Sequence, residues 1–464
     1  MSRKIIARHE SKLLRREASW WVGLALLLVC VFYAWSNGNS FRELRSDQVA
    51  AEIATAEEHL ERERAAVAVG EPGGFSGRAG SARTVALAPA GRLSDFAIGQ
   101  SELYPFRADV SPFRRLDDLF RRYQLESPLT LLSGRFDLSF VAVYLLPLLV
   151  IALSYNLLST EREQGTLPIA MSQPISALQM LDAKLVARIA LVLGPFALLA
   201  AAAFVASADF SHERLVLFVL WLSAAIAYGL FWIGVVAFVN ALGRSSESNA
   251  VILACVWLML VVVVPGALNV LVSTATPTPS RLAYVTEMRR ATAEASQSSG
   301  ELLAAYYEDH PELAAEEMQG GFLPAYFAQQ REVERRVEPI VDDFESRLGA
   351  QQRLVRATSV LSPAVLLQES FNDIAGTGLA RQRTFSTQAR DFLAQWHQAL
   401  RPKIFTAAEM APADYDQLPS FGFREVSLGS ISVRASISLL VLVIPSVVLV
   451  GAARRRVRAL PTIT

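Results

Sequence analysis

The sequence predicts an all-α integral membrane protein, with six transmembrane helices and two mainly helical extracytoplasmic insertions. Three observations lead there. Of 464 residues, 52% are hydrophobic and only 19% charged; several apolar runs are long enough to cross a bilayer; and basic residues crowd both chain ends.

Spans are expected at 20–36, 138–158, 185–206, 215–239, 250–272 and 435–453. Each central Leu, Ile, Val or Phe favours insertion by roughly 0.3–0.6 kcal/mol, so runs this rich insert without a partner. An even number of spans puts both ends on one side. The flank at 1–19 carries Arg3, Lys4, Arg8, Lys12, Arg15 and Arg16 against Glu10 and Glu17. The tail at 454–464 carries Arg454, Arg455, Arg456 and Arg458 with no acid. By the positive-inside rule both are expected in the cytoplasm. A cleaved signal peptide competes for the first span, because Ala34-Trp35-Ser36 loosely fits a small-residue cleavage pattern. The long run, interrupted by aromatics, favours a retained helix.

Ile6, Leu13 and Trp20 recur at heptad spacing among basic residues, which predicts an elbow helix over 1–19 lying in the headgroup layer. The alternative is a basic flank without fixed geometry. The spans leave two large outer regions, 37–137 and 273–434. In the first, Val49, Ile53, Ala56 and Leu60 form a helical stripe ending near Gly70. Residues 70–99, with Gly73-Gly74, Gly77, Gly80, Pro89 and Gly91, read as a turn-rich connection. In the second, Phe385, Ala389, Phe392, Trp396 and Leu400 make another stripe, while Gly320-Gly321, Pro339 and Pro363 mark breaks. Packing between helices explains both stripes more simply than a ligand groove.

Several chemistries are excluded. Lys plus Arg (44) balance Asp plus Glu (44), which argues against a nucleic-acid binder. Cys30 and Cys255 lie in apolar runs and imply no disulfide framework. His9, His59, His212, His310 and His397 are scattered, with no HExxH pair and no zinc-type cysteine cluster. No GxSxG elbow occurs. Lys4, Lys12, Lys184 and Lys403 follow Arg, Ser, Ala and Pro, so no P-loop exists and the chain is not expected to hydrolyse ATP itself. The six spans hold no Asp, Glu or His, which leaves ion-coupled transport without its usual carrier. Arg188 comes nearest, one turn inside the third span, where its stem is expected to snorkel to the cytoplasmic surface.

The two short cytoplasmic loops are 159–184 and 240–249. The first opens Glu161-Arg162-Glu163, turns at Gly165-Thr166 and continues helically through Leu167, Ile169, Met171 and Ile175. A segment this polar suits water rather than lipid. Its acids favour the positive end of a helix macrodipole and complement a basic partner surface. An ordinary hydrophilic connection between two spans is the competing reading.

The run Leu157 to Leu167, then Ser172-Gln-Pro174 and Lys184 before the next span, resembles the loop of permeases in ATP-binding-cassette (ABC) transporters of the type 2 exporter class. The six-span layout fits the same class. Gly99-Gln-Ser-Glu-Leu-Tyr-Pro105, Gly134-Arg-Phe-Asp137, Leu361-Ser-Pro-Ala364 and Phe371-Asn-Asp373 resemble a bacterial branch with a large uncharacterised periplasmic domain. Common members have a short first outer loop, so the long 37–137 region departs from them.

The resemblance implies a coupling helix that docks on a separate cytoplasmic ATPase, with Glu161, Arg162, Glu163, Gly165, Thr166, Leu167, Pro174 and Lys184 as coupling residues. ATP and Mg are then used by that partner, and this chain binds no cofactor or metal. It also implies a second permease copy or paralogue, a bacterial inner-membrane location, and either substrate export or force transmission to a periplasmic partner. Pro147, Pro195, Pro265 and Pro445 interrupt four spans as candidate hinges, a static kink being the plainer reading of any one. Two other classes stay open. A membrane-anchored receptor or sensor fits the outer helices but finds no signalling domain, and a membrane enzyme finds no catalytic set.

Overall fold

The computed structural model describes residues 3–69, 78–102, 104–115, 136–166, 176–277, 281–311, 322–405 and 409–459. Helix α1 (Arg3–Leu14) is followed by a turn at 15–17 and by α2 (Ala18–Val69). The break between them agrees with an elbow, but the heptad is displaced. Leu14 is buried while Leu13 is 44% exposed. The reason is that α1 packs along a neighbouring helix rather than lying free on a membrane surface.

The 52 residues of α2 run unbroken through the first expected span and the stripe beyond it. At 1.5 Å per residue the helix is about 78 Å long, more than twice a hydrocarbon core. Its inner face holds Phe41 and Arg45 and leaves Ile53 exposed, so the expected stripe is only partly right. Gly38 matters at one point of close approach: a Cβ there would sit 1.9 Å from the Asp95 carbonyl oxygen.

Strands β1 (Thr84–Leu87) and β2 (Arg107–Val110) pair antiparallel, Thr84 opposite Val110 and Leu87 opposite Arg107. This small sheet qualifies the all-α expectation and adds one short strand to 70–99, whose described residues otherwise run through turns and irregular backbone as expected. Thr84-Val-Ala-Leu87 is a short β-prone run whose Ala86 is fully buried, and burial outweighs the surrounding glycines. Residues 93–98 go further from expectation: Leu93, Phe96, Ala97 and Ile98 are wholly buried. Gly73-Gly74, Gly77 and Gly320-Gly321 lie outside the described residues.

Helix α3 (Leu138–Ala152) is apolar but short, and turns at 153–158 replace the remainder of the expected 138–158 span. Then come α4 (Ser159–Glu163), α5 (Ala177–Ala206), α6 (His212–Asn240), α7 (Ser246–Ala275), α8 (Arg281–Gln297), α9 (Ser299–Asp309) and α10 (Phe322–Thr358). The described chain closes with α11 (Pro363–Ala375), α12 (Leu379–Phe405), α13 (Pro412–Asp416) and α14 (Leu428–Ala459). Among the described residues α2, α5, α6, α7 and α14 are long and apolar enough to cross a membrane.

Pro339 does not break the chain, contrary to expectation, because α10 continues through it. Val333 and Val337 anchor one face of α10 on Ala291 and Ala295 of α8, and that packing holds the helix across the missing donor. Pro363 does start a new helix, with the Ser362 hydroxyl capping the Val365 amide at 3.3 Å.

Helix α6 is the axis of the apolar bundle, with Trp221, Tyr228 and Trp232 buried against α3, α5, α11 and α14. A second core lies in a largely helical cap drawn from residues within 78–115 and 281–424. There Phe385, Ala389, Phe392, Trp396 and Leu400 are all buried, as the stripe requires.

Bundle and cap meet at a buried ion pair. Arg214, 1% exposed, pairs with Asp95, 0% exposed, and donates to the Arg92 carbonyl at 2.7 Å. The Ser207 hydroxyl donates to Asp95 at 2.9 Å. Above it Phe96 packs edge-on against Trp221, which stacks on Phe371 at 4.7 Å.

Removing one charge of a buried pair strands the other, so Arg214→Leu is expected to cost roughly 3–5 kcal/mol, read as a fall in thermal unfolding midpoint. The pH behaviour of the cap follows from His397, which is 8% exposed. Burial, helped by nearby Arg331, pushes its pKa from 6.5 down to about 3. The folded imidazole stays neutral where the unfolded one gains a proton. Its stability contribution is therefore complete above pH 6.5 and is lost as pH falls toward 3. Acid titration of cap unfolding checks this, with His397→Phe expected to flatten the loss over that window.

Candidate docking site at the basic end of the bundle

The segment after α3 is organised by Asn240, the last residue of α6. Its side-chain oxygen accepts the Leu158 amide at 3.2 Å, and its Nδ2 donates to the Val236 and Ser154 carbonyls at 3.0 and 3.4 Å. Asn249 of α7 donates to the same oxygen at 3.4 Å. A buried amide pair thus fixes where α4 begins.

Helix α4 then presents Glu161, Arg162 and Glu163, each with a partner inside the chain. Glu161 pairs with Lys184 of α5, which is only 5% exposed and lies 3.6 Å from Glu10 of α1. Arg162 donates to the Arg244 carbonyl at 3.1 Å. Glu163 accepts the Ser246 amide at 2.6 Å and the Ser246 hydroxyl at 2.7 Å, while the Ser159 hydroxyl meets Ser246 at 2.7 Å. Those two hydrogen bonds from Ser246 hold the Glu163 carboxyl below the ordinary carboxylate range. The carboxylate sits at the N-terminal end of α7, where the helix dipole also favours negative charge.

A turn closes the segment. The Thr166 amide donates to the Glu161 carbonyl at 2.9 Å, and Gly165 takes φ +68°. Nothing lies within 4 Å of where a Gly165 Cβ would stand, so the glycine answers to backbone conformation and not to crowding. Glu163, Gln164, Gly165 and Thr166 form the exposed rim. Leu167, Pro174 and the intervening Ile169 and Met171, with Ile175, lie outside the described residues. The chain resumes with Ser176 capping α5, its hydroxyl accepting the Gln179 amide at 3.2 Å while the Gln179 side chain returns to the Ser176 amide at 3.1 Å.

The acids and Lys184 are all engaged within the chain. Rather than facing outward, Glu161 and Lys184 neutralise each other in a partly dry site, and Glu163 is a clamp on α7. Lone charges there would be expensive, which is the physical reason for the pairing. Arg188 is 7% exposed, in the field of Glu10, Glu17 and Glu161, so it stays inside this cluster instead of snorkelling.

The same end collects both chain termini. Arg454 of α14 donates to Asp182 of α5 at 2.8 Å, and α1 packs on the first turns of α5. The flank, the 159–166 turn, the 240–249 loop and the tail are therefore neighbours. Ser246, Asn240, Asn249 and Glu10 are the participants sequence reading missed. The signal was an Asn240-to-Asn249 loop with an amide at each end, visible only as a hydrophilic stretch.

Three of the four candidate hinges share a local form. Widened π-helical turns at Val141–Leu145, Ile189–Leu193 and Met259–Val263 immediately precede the turns holding Pro147, Pro195 and Pro265. Proline cannot donate to its i−4 carbonyl and its ring crowds it; a π turn relieves both. Pro445 instead lies inside the uninterrupted α14.

At the opposite end the motifs singled out in the outer regions converge. Gly99 has φ +55°, and a Cβ there would stand 2.6 Å from the Asn372 side-chain oxygen. Asp137 caps α3 by accepting the Phe140 amide at 2.7 Å and also accepts the Ile98 amide at 2.8 Å. Asp373 accepts from Arg434 at 2.8 Å. These residues join cap to bundle. Among the described residues no group of His, Cys, Asp or Glu is arranged to hold a metal.

A family model described as a domain of unknown function (DUF3526) matches residues 281–424, the stretch from α8 through α13. That match leaves the long apolar helices and the 159–184 segment outside it. No curated protein matches the chain.

Lys184→Met removes the cation that Glu161 and Glu10 share. A loss of roughly 3 kcal/mol or more is expected, with release of α1 from α5. Thermal unfolding and faster proteolytic removal of the first residues check this together.

Proposed function

We propose that this chain is the membrane permease subunit of an ABC transporter of the type 2 exporter class. A separate cytoplasmic ATPase docks at the end formed by α1, α4, the start of α5, the 240–249 loop and the tail of α14. The observation that carries the reading is the exposed turn 163–166, backed by a bonded network that reaches two apolar helices at once. Six spans, with 138–158 as the short one, give an even count and set both termini in the cytoplasm of a bacterial inner membrane. Residues 37–137 and 273–434 are then periplasmic.

The mechanism follows from the bonding. Two ATPase subunits, holding ATP and Mg, close and press on the rims of two permease copies. Displacement of α4 passes through Glu163 and Ser246 to α7, and through Glu161 and Lys184 to α5. Both receiving helices carry a π turn and a proline partway along, so each bends at a set place. Bending either opens a path between the two copies or moves the periplasmic cap against a periplasmic partner. Apolar side chains such as Val251, Val262 and Val270 of α7 are exposed and suit lipid or the second copy. The chain itself supplies no catalytic group and is not an enzyme in this reading.

Reversing Glu161 and Glu163 to Lys would break internal bonds as well as docking, so an exposed neighbour is the cleaner probe. Gln164→Trp is expected to leave the unfolding midpoint unchanged while reducing ATPase co-purification about tenfold, as loss of an interface contact does. Undiminished co-purification and transport in both Gln164→Trp and the Glu161→Lys/Glu163→Lys chain would defeat the docking assignment.

A further inference from the structure

A cavity of about 950 Å³ lies between the far end of α7 and helices α10, α11 and α12. It is at the large end of the range for small-molecule sites. Its walls differ along its length. On the bundle side α7 contributes Pro265, Leu268 and Val272; on the cap side α12 contributes Arg383 and Arg390, and α11 contributes Glu369.

The charges are unevenly used. Arg390 is paired with Glu345. Arg383 has a buried Nη2 with no hydrogen-bond partner among the described residues. It lies against Gly349 of α10. A desolvated guanidinium edge without an acceptor is costly, and a planar fork of this kind matches a phosphate oxygen. Burial, with Asp373 nearby, pushes the Glu369 carboxyl above its usual range.

The geometry points to a binding site for the head end of a phospholipid-like amphiphile, its phosphate at Arg383 and the first methylenes of its tail along Leu268 and Val272. The inference rests on the membrane placement of α7 in the proposed function and is independent of ATPase docking. Leu271, exposed beside Leu268 on the same helix, gives a tail an apolar surface to continue along. A free inorganic phosphate would satisfy Arg383 but would leave the apolar wall unused.

The test is native mass spectrometry of the full chain from micelles doped with phosphatidylglycerol or phosphatidylethanolamine, alongside a titration with inorganic phosphate. Wild type is expected to retain phospholipid. Arg383→Gln should lower retention about tenfold, in line with loss of one charge-assisted hydrogen bond. Leu268→Trp, which fills the apolar end, should lower it comparably, and Arg335→Gln on the exposed face of α10 should not. If Arg383→Gln does not fold, Leu268→Trp decides. Wild-type retention in a folded cavity variant, or saturation of the site by inorganic phosphate alone, overturns the proposal. Failure of ATPase co-purification with lipid retention intact would count against the docking reading only.

Discussion

A buried lysine holds the basic end of this protein together. Lys184 stands at the start of a long apolar helix, almost inaccessible, and is stable there only because Glu161 and Glu10 bring carboxylates to it from two other elements. A charge in so dry a place must be paired or it destabilises the fold, so α1, α4 and α5 are obliged to meet. Once they meet, α4 has a fixed direction and Glu163 falls on the first amide of α7. One ion pair thereby sets the spatial relation among a terminal helix, a short polar turn and two apolar helices.

In the proposed reading, that relation suits the turn to transmit force. A flexible loop would absorb a push, whereas α4 is bonded on both sides and exposes the 163–166 rim. The receiving helices are stiff except where a π turn meets a proline, and stiff rods with one soft place bend there first. At the far end the Arg214–Asp95 pair plays the corresponding part, joining the cap to α6 and to the loop after α5. In that reading, motion of the bundle reaches the cap through bonded contacts rather than through a slack tether.

Much of this was legible in the chain. Apolar runs located five long helices, because an apolar helix announces itself by length and lack of charge, but not their ends: the first runs on to Val69, well past the expected 36. The cap stripe Phe385 to Leu400 was readable for the same reason, since one face of a helix must be apolar to pack. What escaped were features decided by tertiary contact. Thr84–Leu87 became a strand and 93–98 a buried segment because distant side chains cover them, which no local glycine count reveals. Pro339 sits inside α10 for a similar reason. In the candidate site, Glu161, Glu163 and Lys184 were found by pattern, yet their partners Ser246 and Glu10 stand 83 and far more than a hundred residues away respectively, beyond any local signal.

The central claim is that the 163–166 rim faces the compartment where ATP is made available, with the cap on the other side. Sidedness tests it most directly. In a chain with Cys30→Ser and Cys255→Ser, Gln164→Cys and Glu308→Cys would be exposed separately to a membrane-impermeant maleimide on cells with a permeabilised outer membrane and an intact inner one. The account predicts labelling of Glu308→Cys at once and of Gln164→Cys only after the inner membrane is opened. Labelling of Gln164→Cys with that membrane intact would contradict it.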